Sequence, residues 1–335
     1  MNISTGPLGR RHFFSAGRRL VLAAAFATAA GSALAAFPDR PIRIVVGFPA
    51  GQATDVIARV AARKLQEALG QPVIVDNKPG AAGILGTEAV VKAAPDGYTL
   101  LVSSSGPLAI NPSLYSKLSY QPLRDLAPIA ELAKVPLFLA VNPAFPAQTA
   151  ADLVKEAKAR PGKINYASSG SGVTSHLTME LFKHAQGINM VHVPYKGSPA
   201  AVTDLISGQV SAMIDTGPAI LPHMRSGRVR VLAVASKNRI AAAPNVPTMI
   251  EAGLGNFDAQ AWVGIAAPKG TPPEVVEAIH KALVSTWRDA ADVRDTLNGL
   301  GAEPVLSRPE EFSRYIKEEI DKWAVAVKLS GAQVD

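Results

Sequence analysis

The chain has 335 residues, 48% of them hydrophobic and 6% aromatic, with no cysteine and a formal charge of +7. That length allows two domains with separate cores, and the lack of cysteine argues against disulfides, thiolate metal sites, thiol catalysis and a lipidated-cysteine anchor. Four of the 34 Lys and Arg lie in residues 1–35, which hold no acid, so 30 face 27 Asp and Glu beyond them; that balance, with so few aromatics, does not make a nucleic-acid surface.

Residues 1–35 read as an export signal. Arg10, Arg11, Arg18 and Arg19 precede an apolar run from Leu20 to Ala30, and Ala33-Leu34-Ala35 supplies a small-residue cleavage motif. The mature chain is therefore expected to begin near Ala36, in the periplasm. The apolar run is too short for a membrane span, and Arg10-Arg11-His12-Phe13-Phe14 fits either general secretion or the twin-arginine route. Later in the chain, Val135–Ala151 is apolar but interrupted by Pro136, Pro143 and Pro146, so no span is expected there.

From Pro41 the chain alternates strand-like and helix-like segments. PIRIVVG (41–47) predicts a buried strand, and Ile57, Val60, Ala61, Leu65, Ala68 and Leu69 share one helical face that stops at Gly70. The strand PVIVDN (72–77), the turn KPGAAG, a small-residue helix to Ala94, the turn PDG (95–97) and the strand YTLLVSSS (98–105) follow. This βαβαβ order is the mark of a parallel sheet covered by helices.

After PLFLAVN (136–142) the pattern restarts. The helix TAADLVKEAKAR, the strand KINYAS, the helix SHLTMELFKHAQ, the strand MVHVPY and the helix SPAAVTDLIS lead to the strands VSAMIDT and VRVLAVAS. FDAQAWVGIAAP (257–268) is a second extended apolar run. Two late helices close the chain: one carries Val275, Ile279, Leu283 and Trp287 in register. The other opens on a capping box, Ser307 to Glu310, and carries Phe312, Ile316, Ile320, Trp323 and Val327.

The two proline-flanked runs, 136–142 and 257–268, are expected to be crossovers between two lobes. One lobe is then discontinuous, residues 36–137 with 260–335, and the other, residues 138–259, is inserted into it. Open α/β sheets bind ligands at the carboxyl ends of their strands, so the strand-to-helix turns carry most of the interest.

Four such turns combine glycine with small polar residues: GFPAGQATD (47–55), SSSGP (103–107), SSGSGVTSH (168–176) and IDTGPA (214–219). Together they offer N–H and hydroxyl donors with almost no fixed positive charge, which suits carboxylates, directly or through water. For any one turn the plainer reading is helix capping. Asp55 either steadies a helix dipole or lines the cleft, and Asp215 either makes a capping or lobe-closing bond or touches ligand.

Catalysis fits less well. No serine sits in a G-x-S-x-G frame, although His176 lies near Ser171 and Ser175, which leaves a Ser/His hydrolase as an alternative. There is no H-E-x-x-H around His176 or His184, so no metal site is expected. Gly80, Gly83 and Gly86 do not make the dinucleotide fingerprint, and no cofactor is expected.

GFPAGQATDVIAR, VDNKPGAAGILGTEAV, KAAPDGYTLLVSSSG, NYASSGSGVTSHLTMELF, MVHVPYKGSPAAVTDLISGQV and VPTMIEAGL together resemble the Bug family, the extracytoplasmic receptors of tripartite tricarboxylate transporters. The likeness runs from Phe37 to about Gly331. It implies a type II-like, two-lobed periplasmic binding fold of the α/β class, with mostly parallel sheets. A monomer would hold a small carboxylate between its lobes (a di- or tricarboxylate, an amino acid or an aromatic acid) and pass it to a membrane permease. A ligand sensor for a signalling partner would share the fold. Carried onto this chain, the family's binding positions fall on Phe48, Gly51 and Asp55, on Ser103 and Ser104, on Ser168, Ser169, Gly170, Gly172, Thr174 and His176, and on Asp215. The family commonly pairs two glycines where this chain has Gly51-Gln52. Gln52 then either points away at the helix start or adds an amide to the site.

Overall fold

The computed structural model describes residues 1–3 and 37–332. The arginines, apolar run and cleavage motif of the expected export signal lie outside the described residues. Arg40–Asp335 forms one compact unit, separate from Met1–Asp39, and holds every element below.

Strand β1 (Ile42–Val46) is buried at four of its five positions, as its apolar run requires. Helix α1 (Ala53–Leu69) buries Ile57, Val60, Ala61 and Leu65 and stops at Gly70. Strand β2 (Val73–Asn77), a 3-10 turn at Ala81–Gly83, helix α2 (Ile84–Val91) and strand β3 (Thr99–Ser104) follow. β2 and β3 flank β1 in parallel register, which is the expected βαβαβ unit. Residues 106–135 then add elements that patterning does not announce: a π-helical turn at Gly106–Ile110, short helices α3 (Asn111–Leu114) and α4 (Pro122–Asp125), and the ten-residue strand β4 (Leu126–Val135).

Pro136 carries the chain into a second sheet. It is built from β5 (Leu137–Val141), α5 (Ala150–Ala159), β6 (Asn165–Ser168), α6 (Thr174–Gln186), β7 (Val191–Pro194), α7 (Ser198–Ser207), β8 (Ala212–Thr216), α8 (Gly217–Arg225) and β9 (Arg230–Val234). The chain then returns to the first sheet with β10 (Ala261–Pro268), α9 (Pro273–Thr286), α10 (Ala291–Gly299), β11 (Glu303–Pro304) and α11 (Pro309–Ser330). Strand orders are β11-β4-β10-β3-β1-β2 and β7-β6-β8-β5-β9. The architecture is the two-sheet α/β fold that the alternation of elements predicts. Each sheet is parallel on the flank built from βαβ units and antiparallel on the other, so both sheets are mixed where mostly parallel ones were expected; the strands that return between the two sheets, β4, β5 and β10, pair antiparallel.

Two local expectations are corrected. The runs expected as crossovers are themselves strands: β5 lies between β8 and β9, and β10 between β4 and β3. Their continuous apolar character reflects burial on both faces of a sheet, and the crossings fall at Pro136 and in residues 235–260. The cap of α11 comes one residue later than the capping pattern predicts. Glu311 accepts the Arg308 N–H at 3.0 Å, while the Ser307 hydroxyl accepts the Glu131 N–H of β4 at 2.9 Å.

Helix α11 packs on β4, on the Gly106–Ile110 turn and on α6, so it touches elements belonging to both sheets. It is tied to β10 by Glu319, whose carboxylate accepts both the Trp262 and the Trp323 indole N–H at 2.8 Å.

Candidate functional site

A cavity of about 170 Å³ lies where the turns after β1, β2 and β3 face the turn after β6. Phe48, Ala82, Ser104 and Gly106 line it from one side, with Ile110, Asn111, Leu114 and Tyr115 of the following segment; Ser171, Gly172, Val173 and Thr174 line it from the other. This is the carboxyl-end position where open α/β sheets hold ligands. Phe48, Ser104, Gly172 and Thr174 thus meet at one cavity, with Gly106, Ser171 and Val173 of the same turns, whereas Ala82, Ile110, Asn111, Leu114 and Tyr115 were missed. The segment after Gly106 carries neither a clear period nor a charged residue, and only the start Asn111-Pro112, a helix-opening signal, points to it.

On the second-sheet side, the N-terminus of α6 faces the cavity at Val173 and Thr174. No side chain caps it: the N-cap is Val173, and Thr174 is already the first helical residue. The first N–H groups of this helix therefore lack intrahelical partners, and the helix dipole favours an anion beside them. Ser175 does not cap either; its hydroxyl accepts the Ser169 N–H at 3.1 Å and bonds the Ser169 hydroxyl at 2.8 Å. Gly172 donates its N–H to His176 Nδ1 at 3.0 Å, which fixes the loop against the helix.

Three other expected residues turn inward. Ser168 is fully buried, and its hydroxyl lies 2.9 Å from the Gly170 carbonyl and 2.6 Å from His192 Nε2. His176, 4% exposed, stacks on His192 with ring centroids 3.8 Å apart, and His192 stacks on Tyr166 at 4.9 Å. Burial, then the neighbouring His192, pushes the His176 pKa down to about 3. Asp215 is held by the Ser198 hydroxyl at 2.8 Å and the Thr216 N–H at 2.7 Å, and burial raises its pKa despite these bonds.

The first loop has its own internal clasp. Asp55 is 1% exposed and accepts from the Gly51 N–H at 2.8 Å, Arg59 Nε at 2.9 Å and Asn77 Nδ2 at 2.9 Å. Burial alone would raise its pKa, but the bonds from Arg59, Gly51 and Asn77 hold it below the usual carboxylate value. Asp55 therefore shapes the loop that presents Phe48. Gln52 is exposed at the N-cap of α1 and makes no capping bond. In the third loop, the Ser103 and Ser105 hydroxyls are buried without a partner, whereas Ser104 lines the cavity. Gly83 and Gly86 serve packing: a Cβ on Gly86 would lie 2.5 Å from Gly47 Cα, and one on Gly47 would lie 2.8 Å from Gly83 Cα. Among the described residues, no group of three or more His, Cys, Asp or Glu could hold a metal ion.

Among the described residues the one hydrogen bond between a serine hydroxyl and a histidine is that of Ser168 with His192; Ser168 is fully buried, and its hydroxyl also lies against the Gly170 carbonyl. Two α/β layers meeting at a cavity of turn residues, with donors at the rim of an uncapped helix, define a solute receptor of the two-lobed class. Residues 57–331 match the tripartite tricarboxylate transporter family receptor, and the chain belongs to that family, as its Bug-like motifs imply. It is 43% identical to Protein BugT of Bordetella pertussis over 89% of this chain and 91% of BugT. Two solved structures share the fold. Rpa4515 of R. palustris, solved with adipate, has a TM-score of 0.78 and 34% identity, covering 89% of this chain and all of that one. MatC from Rhodopseudomonas palustris, with bound malate, has a TM-score of 0.72 and 34% identity, covering 87% of this chain and all of that one.

Proposed function

We propose that the protein is a periplasmic receptor that captures a small carboxylate between its lobes, releases it unchanged, and works as a monomer with the membrane permease of a tripartite tricarboxylate transporter. The lobes are residues 36–137 with 260–335, and residues 138–259. The observation that carries this reading is the uncapped N-terminus of α6 at a cavity lined from both sheets. The adipate and malate bound by the two solved relatives support a carboxylate as the class of solute. Phe48, Ser104, Gly172 and Thr174 form the contact surface. Gly51, Asp55, Ser168, Ser169, Gly170, His176 and Asp215 hold the turns in shape.

Thr174 offers a clean test, because proline is tolerated at the first helical position and Val173 already has the extended backbone that precedes proline well. Thr174→Pro removes one N–H and one hydroxyl; Thr174→Val removes only the hydroxyl. A hydrogen bond to a charged group contributes about 1.5–3 kcal/mol, so Thr174→Pro should weaken carboxylate binding roughly ten- to hundredfold in calorimetry while the thermal midpoint holds. Wild-type affinity in both folded variants would remove the cup from recognition. Incubation with esters and amides should release no product above buffer.

A further inference from the structure

None of the cavity's twelve lining residues is charged, so long-range attraction of an anion from solution has to come from the rim. At the carboxyl ends of the strands most charged side chains are already engaged. Asp55 is buried against Arg59 at 2.9 Å, and Asp215 is buried and held by Ser198 and Thr216. Lys78 pairs with Asp76 at 3.4 Å, Lys237 with Asp258 at 3.8 Å and Arg239 with Glu251 at 2.8 Å. Lys196, in the turn between β7 and α7, is exposed and, among the described residues, is the cation of these turns that forms no ion pair.

The turn that carries Lys196 is fastened to the cup. β7 lies beside β6 in parallel register, so the turns that follow the two strands leave the sheet at the same end. The Tyr195 N–H donates to the Ser168 carbonyl at 3.0 Å and the Gly197 N–H to the Ser169 carbonyl at 3.1 Å, so both chain neighbours of Lys196 bond the cup. The Tyr195 hydroxyl donates to Asp204 at 2.7 Å and the Ser198 hydroxyl to Asp215 at 2.8 Å, which ties the same turn to α7 and β8. The backbone under Lys196 is thus held beside the site, while its flexible stem carries a compact charge in water. We infer that Lys196 guides anionic solutes into the cleft: its ammonium draws them to the mouth and speeds capture, without being part of the wall that holds them. A charge at a rim acts on the association rate and its salt dependence more than on the bound state. This rests on the receptor reading above and deepens it.

The test sets Lys196→Glu beside Lys163→Glu. Lys163 is also exposed and lies just before β6, at the end of that strand opposite the cup, so the two variants share one net charge and differ in where it changes. Surface plasmon resonance on the purified protein reads association and dissociation rates for adipate, malate, glutamate and benzoate, in salt from about 0.02 to about 1 M. For each acid that binds the wild-type protein, Lys196→Glu should slow association about three- to tenfold at the lowest salt, more for a dianion than for a monoanion, and the difference should vanish at the highest. Lys163→Glu should slow it by less than about twofold, because its charge lies farther from the mouth. Equal slowing in the two variants, an association rate that Lys196→Glu leaves unchanged at low salt, or an effect confined to dissociation would overturn this inference and leave the carboxylate receptor standing. No binding of any of the four acids would overturn both.

Discussion

Gly172 has a backbone φ of +74°, a conformation that resists side chains, and a Cβ there would fall 2.6 Å from Leu114 Cδ2. Leu114 lines the cavity, so any relief would come from pushing it into the space where a solute sits. Gly172→Ala should therefore cost about 1–2 kcal/mol of stability from strain and weaken ligand binding at least tenfold; an unchanged dissociation constant in calorimetry would show that Leu114 moves elsewhere. At this scale the sequence marked a turn that reaches the cavity, but not which way its hydroxyls face. Ser168 and Ser175 are occupied by His192 and by Ser169, and no spacing rule reveals a partner 24 residues away on a neighbouring strand. Asp55 has the same lesson. Its position in a first helical turn was legible, yet the bond from Asn77 at the end of β2, which makes it a loop clasp, belongs to tertiary structure.

Elements with one unbroken period were legible, and those whose period is interrupted were not. Helix α8 contains Pro218 near its start and Pro222 inside it, and so reads as a turn between two strands. Strand β4 carries Pro128, Glu131 and Lys134 within ten residues, yet buries Glu131 because α11 covers it. Helix α10 offers only Val293 and Leu297 to the core. The long helix α11, by contrast, shows its apolar face plainly, but its most consequential residue on that face is polar. Glu319 is 3% exposed and satisfies two buried indole N–H groups, Trp262 of β10 and Trp323 of α11 itself. Glu319→Ala would leave both without a partner, at about 1–3 kcal/mol each, and so should lower unfolding free energy by roughly 3 kcal/mol or more in urea titration. Glu319→Gln keeps an acceptor and should lose less. Equal losses in the two variants would mean that packing, not the indole bonds, fastens this helix to its sheet.

Across the whole molecule, two buried titrating groups in different layers pull stability in opposite directions with pH. His176, stacked on His192 beside Tyr166, faces Lys183 and Glu180, and Glu180 accepts from Lys183 at 2.7 Å and from the Tyr166 hydroxyl. With its pKa lowered from 6.5 to about 3 by burial and by His192, His176 stays neutral in the folded chain while the unfolded chain takes up the proton. Its contribution is thus complete above pH 6.5 and is lost as pH falls toward 3. Glu131 does the reverse. Burial raises its pKa from 4.5 to about 7, with Lys134 opposing and Glu319 adding to the rise. The folded chain holds that proton between those values, so its contribution is complete below pH 4.5 and is lost as pH rises through 7. In the window they share, the wild-type profile is partly cancelled, and removing either group should expose the other. Measured against wild type by urea unfolding between pH 6.5 and 4.5, His176→Gln should gain stability as pH falls, by up to about 1.4 kcal/mol per pH unit, and Glu131→Gln should lose its advantage at a similar rate. At pH 8 the order reverses in cause: Glu131→Gln should be the more stable protein there, since it removes a buried charge with an unpartnered oxygen, while His176→Gln should show no titration benefit. Profiles that run parallel to wild type in both variants would mean that neither group changes its protonation on folding, and the opposed pair would then play no part in how this receptor tolerates acid.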